Sequence, residues 1–287
     1  MAEELIEDAQ DESPMSRLER IWGSCGLARV QAASVMVLGL GGVGSNCVEA
    51  LARGGVGRLV VVDCDVVQPS NINRQALAFM STVGRRKTDV MRAMIADINP
   101  SAQVEAVDKF LFADDVPALL DRYASGIDYL VDAIDTVSAK FAVAQYAERA
   151  GVRLISSMGG ANKLHPECLR MADLYETENC PLCRVMRKEG RKRGIRHLRV
   201  LYSCERPVKP QRREGVELCD RSNLGTASFM PPIMGLTIAG EVLRTYIIAE
   251  DGAPDADVEA QIRARYEAKK AKNFAEADRI RDELKAE

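Results

Sequence analysis

The sequence has no excess of basic charge. Its 39 lysines and arginines stand against 42 aspartates and glutamates, for a formal net charge of −3. Global electrostatic attraction to nucleic acid is therefore excluded, and any such affinity has to come from a local patch. A basic, apolar leader is also missing. The first twelve residues carry six acids and no base, the opposite of a secretory signal, and this segment is expected to have no fold of its own. There is no clean membrane span. The uncharged run 222–240 is long enough, but Ser222, Asn223, Thr226, Ser228, Pro231, Pro232 and Thr237 interrupt it, so it reads as a buried loop and helix. No internal repeat is visible. Eight cysteines are scattered through an α/β pattern without an export signal, which points to reduced thiols in a cytoplasmic protein rather than a disulfide framework.

What is present is apolar substance in a strand–helix alternation. The chain has 287 residues, 47% of them hydrophobic, enough for one large core or two small ones. Apolar runs at 35–39, 59–63, 104–107, 129–134 and 152–156 read as strands. Helical spacing falls at 43–53, 85–98, 114–123 and 138–150. Strands that alternate with helices imply parallel pairing and right-handed crossovers, so a doubly wound, mostly parallel Rossmann-like sheet is predicted over about 33–160. Residues 161–220 are polar, basic and weak in period, and read as an insert. Residues 224–249 return to a buried apolar pattern. Asp251 to Pro254 reads as a linker, and 257–287, with eight acids and eight bases, as a charged helical hairpin. The expected division is thus an acidic segment 1–13, a main domain 14–250 and a tail 251–287.

The chemistry starts at Gly39-Leu-Gly41-Gly42-Val-Gly44. A glycine turn between a strand and a helix lets backbone approach a phosphate and aims free N–H groups and the helix dipole at it. Any mononucleotide or dinucleotide would satisfy it. Asp63 ends the second strand, where a carboxylate reaches ribose hydroxyls. Asp65 is placed to face a metal or a loop amide. Ser70, Asn71, Asn73, Arg74 and Gln75 follow at once. Arg74 is a planar donor suited to phosphate, Asn71 and Asn73 are neutral donors of similar reach, and Lys87 opens the next helix as a point charge. Asp135 closes the run Tyr129-Leu-Val-Asp-Ala-Ile-Asp135 at the carboxyl edge, where a carboxylate could hold Mg²⁺. Any one of these alone is a surface cap or salt bridge. Five at successive strand ends of one sheet point to a triphosphate. A dinucleotide dehydrogenase would use only the glycine turn and Asp63.

Together, G-L-G-G-V-G-S, D-C-D-V-V-Q-P-S-N-I-N-R-Q, V-G-R-R-K and V-D-A-I-D-T resemble the ubiquitin-activating-enzyme-like (ThiF/MoeB/HesA) adenylating family over about residues 16–249. S-S-M-G-G-A-N-K-L-H-P-E at 156–167, L-Y-S-C-E-R-P at 201–207 and L-G-T-A-S-F-M-P-P-I-M-G at 224–235 resemble its tRNA threonylcarbamoyladenosine dehydratase branch. The resemblance implies ATP-dependent activation of the threonine carboxylate on a modified adenosine beside the anticodon, followed by cyclisation with loss of AMP. It implies a nucleotide cradle from Gly39, Gly41, Gly42, Gly44, Asn71 and Gln75, with Asp63 at the ribose, Asp65 nearby, and Asn73, Arg74 and Lys87 at the phosphates. Asp135 would hold Mg²⁺ and organise adenylation. Arg17 matches an arginine that this fold supplies from a partner subunit, which implies a homodimer.

Some segments depart from that pattern. Cys180-Pro-Leu-Cys183 has the spacing of half a zinc site, but the second C-x-x-C of the sulfur-carrier-activating relatives is absent, so two ordinary thiols are expected. Cys168, Cys204, Cys219, His165 and His197 could complete a site only by an accident of the fold. Cys219 lies near the place where some relatives carry an acceptor cysteine, but cyclisation needs no such nucleophile and an inert thiol is expected. Residues 184–213 hold twelve lysines and arginines against two acids. Within it Arg187, Lys188, Arg191, Lys192, Arg193 and Arg196 are expected to contact tRNA phosphates. The tail resembles the helical end of cysteinyl-tRNA synthetase, over about 25 residues; it would either help hold tRNA or be a charged hairpin without a recognition role, and the second is expected. The alternative function is activation of the C-terminus of a small sulfur-carrier protein; a sulfur-transfer partner and a non-catalytic descendant of the fold are the remaining possibilities.

Overall fold

Four consecutive apolar residues in a strand leave no polar face, and the first two strands have that pattern. β1 (Ser34–Leu38) and β2 (Arg58–Asp63) are buried on both sides, as parallel strands between helix layers are. The two faces separate by strict alternation. Val35, Val37, Leu59 and Val61 pack under one helix layer, while Met36, Leu38, Val60 and Val62 pack under the other. The computed structural model describes residues 13–123, 126–209 and 224–248, together with Arg279. Cys219, residues 1–12 and nearly all of the tail 251–287 lie outside the described residues.

The elements run α1 (Ser16–Ala32), β1, α2 (Gly42–Arg53), β2, α3 (Lys87–Ile98), β3 (Gln103–Asp108), α4 (Val116–Asp121), β4 (Tyr129–Asp132), α5 (Val137–Ala150), β5 (Arg153–Ser157), β6 (Leu169–Asp173), α6 (Pro181–Lys192), β7 (Arg199–Ser203) and α7 (Met230–Ile247). They build one seven-stranded sheet in the order β3-β2-β1-β4-β5-β7-β6. All pairs are parallel except β6–β7. The chain leaves β1 for β2 and β3 on one side and returns through β4 to the other. The carboxyl ends of β1 and β4 therefore form the switch point where ligands bind in open sheets.

The doubly wound reading holds, with three corrections. The sheet extends past residue 160, because β6 and β7 belong to it, with α6 connecting them. Their period is faint because β6 is a half-exposed edge strand and α6 buries only Cys183, Met186 and Gly190. β4 stops at Asp132, short of Ile134, because the Asp132 carboxylate takes the Ile134 N–H (3.1 Å) in a turn that ends the ladder. α4 is shorter than 114–123, with a 3-10 turn at Ala113–Asp115 ahead of it. The uncharged run 222–240 supplies the start of α7, which crosses α2 so closely that a Cβ on Gly235 would lie 2.4 Å from the Val43 carbonyl. Among the described residues no helix is long and apolar enough to cross a membrane.

Candidate active site

The strand ends enclose one cavity of about 640 Å³. Gly39, Gly41 and Gly42 line it from β1, Asp63, Cys64 and Asp65 from β2, Ala133 to Thr136 from β4, and Ser157 to Ala161 from β5. The glycines divide the labour. Gly39 has φ +93°, the left-handed region that glycine adopts freely. Gly44 lines no part of the cavity. A Cβ there would lie 1.8 Å from the Gly39 carbonyl, so its role is to let α2 close onto β1. Gly41 is unobstructed, with nothing within 4 Å of a Cβ position, and leaves the N-terminus of α2 open to an anion.

Asp63 is clasped from two sides. The Leu40 N–H donates to one carboxylate oxygen (2.6 Å) and the Asp65 N–H to the other (2.8 Å). Each oxygen keeps a lone pair for a ligand hydroxyl. Lys87, 4% exposed, lies 2.8 Å from Asp65 and 3.8 Å from Asp63. Burial raises the Asp65 carboxyl, but the hydrogen bond and charge of Lys87 outweigh it and hold it below the usual range.

The polar cluster that follows is built onto the glycine turn. Ser45 Oγ donates to the Gly41 carbonyl (2.6 Å) and accepts from the Ala76 N–H (3.1 Å). Asn46 Nδ2 spans the carbonyls of Gly42 (2.7 Å) and Arg74 (2.9 Å). These two side chains, which the glycine motif does not single out, set Arg74 beside the helix N-terminus. Arg74 lines the cavity, and burial lowers its pKa without threatening its charge. Asn71 also lines it, with its Oδ1 accepting the Gln68 N–H (3.0 Å). Gln75 is buried in the lining, and its Oε1 has no hydrogen-bond partner. Such an orphan suits a site completed by a ligand. Asn73 does not line the cavity; it holds Arg74 instead (2.8 Å).

Two carboxylates follow one another at the end of β4, and the structure separates them. Asp132 is buried and saturated by Lys140 Nζ (3.0 Å), Ser156 Oγ (2.5 Å) and the Ile134 N–H. Lys140, 2% exposed, also reaches Ser156 Oγ (3.3 Å) and the Ser157 carbonyl (2.8 Å), so its three donors are all used. Asp135 is exposed in the cavity wall and accepts from Thr136 Oγ1 (3.4 Å). One carboxylate beside bound phosphates is an ordinary Mg²⁺ environment, so the donor set fits that ion.

Other predicted residues stand apart. Arg17 is exposed on α1 and absent from the cavity wall. In the basic segment Arg187 is half-buried and donates to the Thr177 carbonyl (2.7 Å). Arg196 pairs with Glu148 (2.8 Å) and Lys192 with Glu189 (2.9 Å). Arg191 lies over the Tyr175 ring and Arg193 over Phe141. Five of the six, Lys188 included, are nonetheless exposed; Arg187 is the exception. Cys180 and Cys183 are buried at the start of α6, with the Cys183 N–H 3.5 Å from the Cys180 sulfur. The hydrogen bond from Cys183 draws the Cys180 thiol down to about 6, and the same bond, with burial, pushes Cys183 up. Among the described residues no third ligand joins them; the one grouping with metal-ligand proximity is Asp63, Cys64 and Asp65.

Comparison with known proteins gives the family. The chain matches the ThiF family over residues 15–281. It is 39% identical to a Bacillus subtilis tRNA threonylcarbamoyladenosine dehydratase across 79% of this chain and 92% of that one. The Haemophilus influenzae enzyme of the same name is 32% identical, across 78% and 89%. The crystal structure of Escherichia coli tRNA N6-threonylcarbamoyladenosine dehydratase in complex with ATP superposes with a TM-score of 0.71 at 30% identity, covering 80% of this chain and 91% of that chain.

The buried ion pair yields a stability prediction. Lys140→Met leaves the Asp132 charge unpaired in the interior and is expected to cost about 3–5 kcal/mol in urea unfolding. The double variant with Asp132→Asn should recover most of that loss; equal losses in the two would mean the charge is not the cause.

Proposed function

The chain belongs to the ThiF family, and on that premise we propose that it is an ATP-dependent tRNA threonylcarbamoyladenosine dehydratase. It activates the carboxylate of the threonylcarbamoyl group on an adenosine beside the anticodon and cyclises it. One observation carries the reading: a single cavity joins an open helix N-terminus, a clasped ribose-type carboxylate, Arg74, Lys87 and an exposed Asp135. The residues from Asp63 to Lys87 suit a triphosphate, and the apolar stretch from Phe110 to Leu111 suits a base. A hydride-transfer site has no need of Arg74, Lys87 and Asp135.

In this reading the phosphates lie over the N–H groups of Gly41 and Gly42, with Arg74 and Lys87 neutralising them. Asp63 accepts from the ribose hydroxyls. The substrate carboxylate attacks the α-phosphate in line, pyrophosphate leaves, and the side chain then cyclises with loss of AMP. The protein acts by positioning and by fixed charge rather than by proton transfer. Asp135 would hold Mg²⁺, which supplies further neutralisation of phosphate charge. Arg17, exposed and outside its own cavity wall, fits delivery to the cavity of a second copy, hence a homodimer. The exposed cations of α6 supply the local patch for tRNA in an otherwise acidic chain, with Arg187 bracing the helix. A tRNA substrate and ATP are consistent with a cytoplasmic enzyme of one main domain over 14–250 and a tail over 251–287.

The decisive assay is ATP turnover by the purified protein with tRNA that carries the threonylcarbamoyl modification. AMP release that requires the modified tRNA is expected, with loss of water from the nucleoside and at least about 100-fold less activity for Asp135→Ala at unchanged thermal stability. ATP–pyrophosphate exchange that instead requires a small carrier protein would move the assignment to a sulfur-carrier activator. Reversing Lys188 and Lys192 to Glu is expected to weaken tRNA binding and to lower its salt slope by roughly 1 for each phosphate no longer neutralised. An unchanged slope would remove α6 from the tRNA surface.

A further inference from the structure

Behind the β5 side of the cavity wall, just after Ala161, stands Asn162 with φ +57°. Asparagine tolerates this left-handed backbone better than most residues, but it is not the default there. Its bonds show what the conformation serves. The Asn162 N–H donates to the Gly225 carbonyl (2.8 Å), and the Gly225 N–H donates back to Asn162 Oδ1 (2.8 Å). The Asn162 carbonyl accepts the Val208 N–H (2.8 Å). One residue thus ties the strand-end loop to the backbone at 208 and at 225.

The tie leads back to the phosphate site. Thr226, next to Gly225, lines the cavity, and its carbonyl accepts Asn73 Nδ2 (3.2 Å). Asn73 Oδ1 in turn accepts from Arg74 (2.8 Å), whose same terminal nitrogen donates to the Ser70 carbonyl (2.8 Å). One end of the guanidinium is fixed, and among the described residues its other terminal nitrogen and Nε have no hydrogen-bond partner. Asn73 Nδ2 thus meets the residue next to Gly225, and Gly225 is held by both the backbone N–H and the side chain of Asn162.

We propose that Asn162 is a positioning residue for ATP: through Gly225 and Thr226 it fixes Asn73, and through Asn73 the guanidinium of Arg74. The inference rests on the reading of Arg74 as a phosphate ligand, and it adds a residue outside the cavity lining. It also gives the asparagine side chain a role separate from its backbone. Glycine keeps the left-handed conformation without the Oδ1 acceptor. Aspartate keeps an acceptor and tolerates the conformation.

The test measures ATP affinity, kcat and thermal stability for Asn162→Gly, Asn162→Asp, Asn73→Ala, the Asn162→Gly/Asn73→Ala double variant and Arg74→Ala. Asn162→Gly and Asn73→Ala are each expected to weaken ATP binding about five- to tenfold, the worth of one hydrogen bond. The double variant should be no weaker than either single one, because both break one relay. Asn162→Asp should stay within about twofold of the parent, well inside the loss set by one hydrogen bond. Full additivity, parental affinity in Asn162→Gly, or a loss in Asn162→Asp as large as in Asn162→Gly would overturn the inference. Parental affinity in Arg74→Ala would instead overturn the reading of the site on which it stands. Asn73→Ala leaves Asn162 in place, so it tests the relay even if the glycine variant unfolds.

Discussion

The whole site hangs on one close approach of backbone to backbone. α2 closes onto the end of β1 with no room for a side chain at Gly44, and Gly39 turns away from the Ala133 carbonyl, which a Cβ would meet at 2.8 Å. That approach brings the N-terminus of α2 to the carboxyl edge of the sheet. It does so beside β4, at the point where the chain order reverses. The same turn carries Ser45 and Asn46, which hold the loop bearing Arg74. The open helix N-terminus and the Arg74 guanidinium are therefore delivered by one structural decision. α7 covers it from outside, with Gly235 against Val43 and Pro231 against Gly42.

Charge is distributed to match. Two buried lysines work in opposite ways. Lys140 spends all its donors on Asp132, Ser156 and Ser157, and so welds β4 to β5 and removes Asp132 from solution chemistry. Lys87 is as well buried but only partly engaged, with Asp65 exposed beside it, so its charge remains available at the cavity. Of the four carboxylates at the ends of β2 and β4, Asp63 is clasped by amides, Asp65 is paired, Asp132 is neutralised, and Asp135, which accepts from Thr136, is exposed in the cavity wall. Chemistry that begins with a highly charged triphosphate and a carboxylate needs cations at fixed positions more than it needs an acid or a base.

Much of this was legible in residue order. The valine-rich runs of β1 and β2, the glycine turn and the polar cluster after Asp63 all announce themselves by local pattern, because each is governed by its own neighbours. What local pattern could not show depended on partners far along the chain. Asn73 looks like a phosphate donor until Thr226 is seen to hold it. Residue order singles out Asp135 at the end of Val-Asp-Ala-Ile-Asp, but not that Lys140 and Ser156 saturate Asp132. The β6–α6–β7 unit was hidden for another reason: an edge strand and a helix with a three-residue apolar stripe barely differ from a polar insert. In the basic stretch, residue order showed the charge but not that Arg187 is spent on Thr177.

The central claim is that the cavity joins a carboxylate to the α-phosphate of ATP. It is tested most directly by placing a heavy-oxygen label in the carboxylate of the threonylcarbamoyl group and following it through one turnover. Adenylation requires the label to appear in AMP, with none in pyrophosphate. Label in inorganic phosphate, with ADP as the nucleotide product, would mean attack at the γ-phosphate and would contradict the arrangement of Arg74, Lys87 and Asp135 described above.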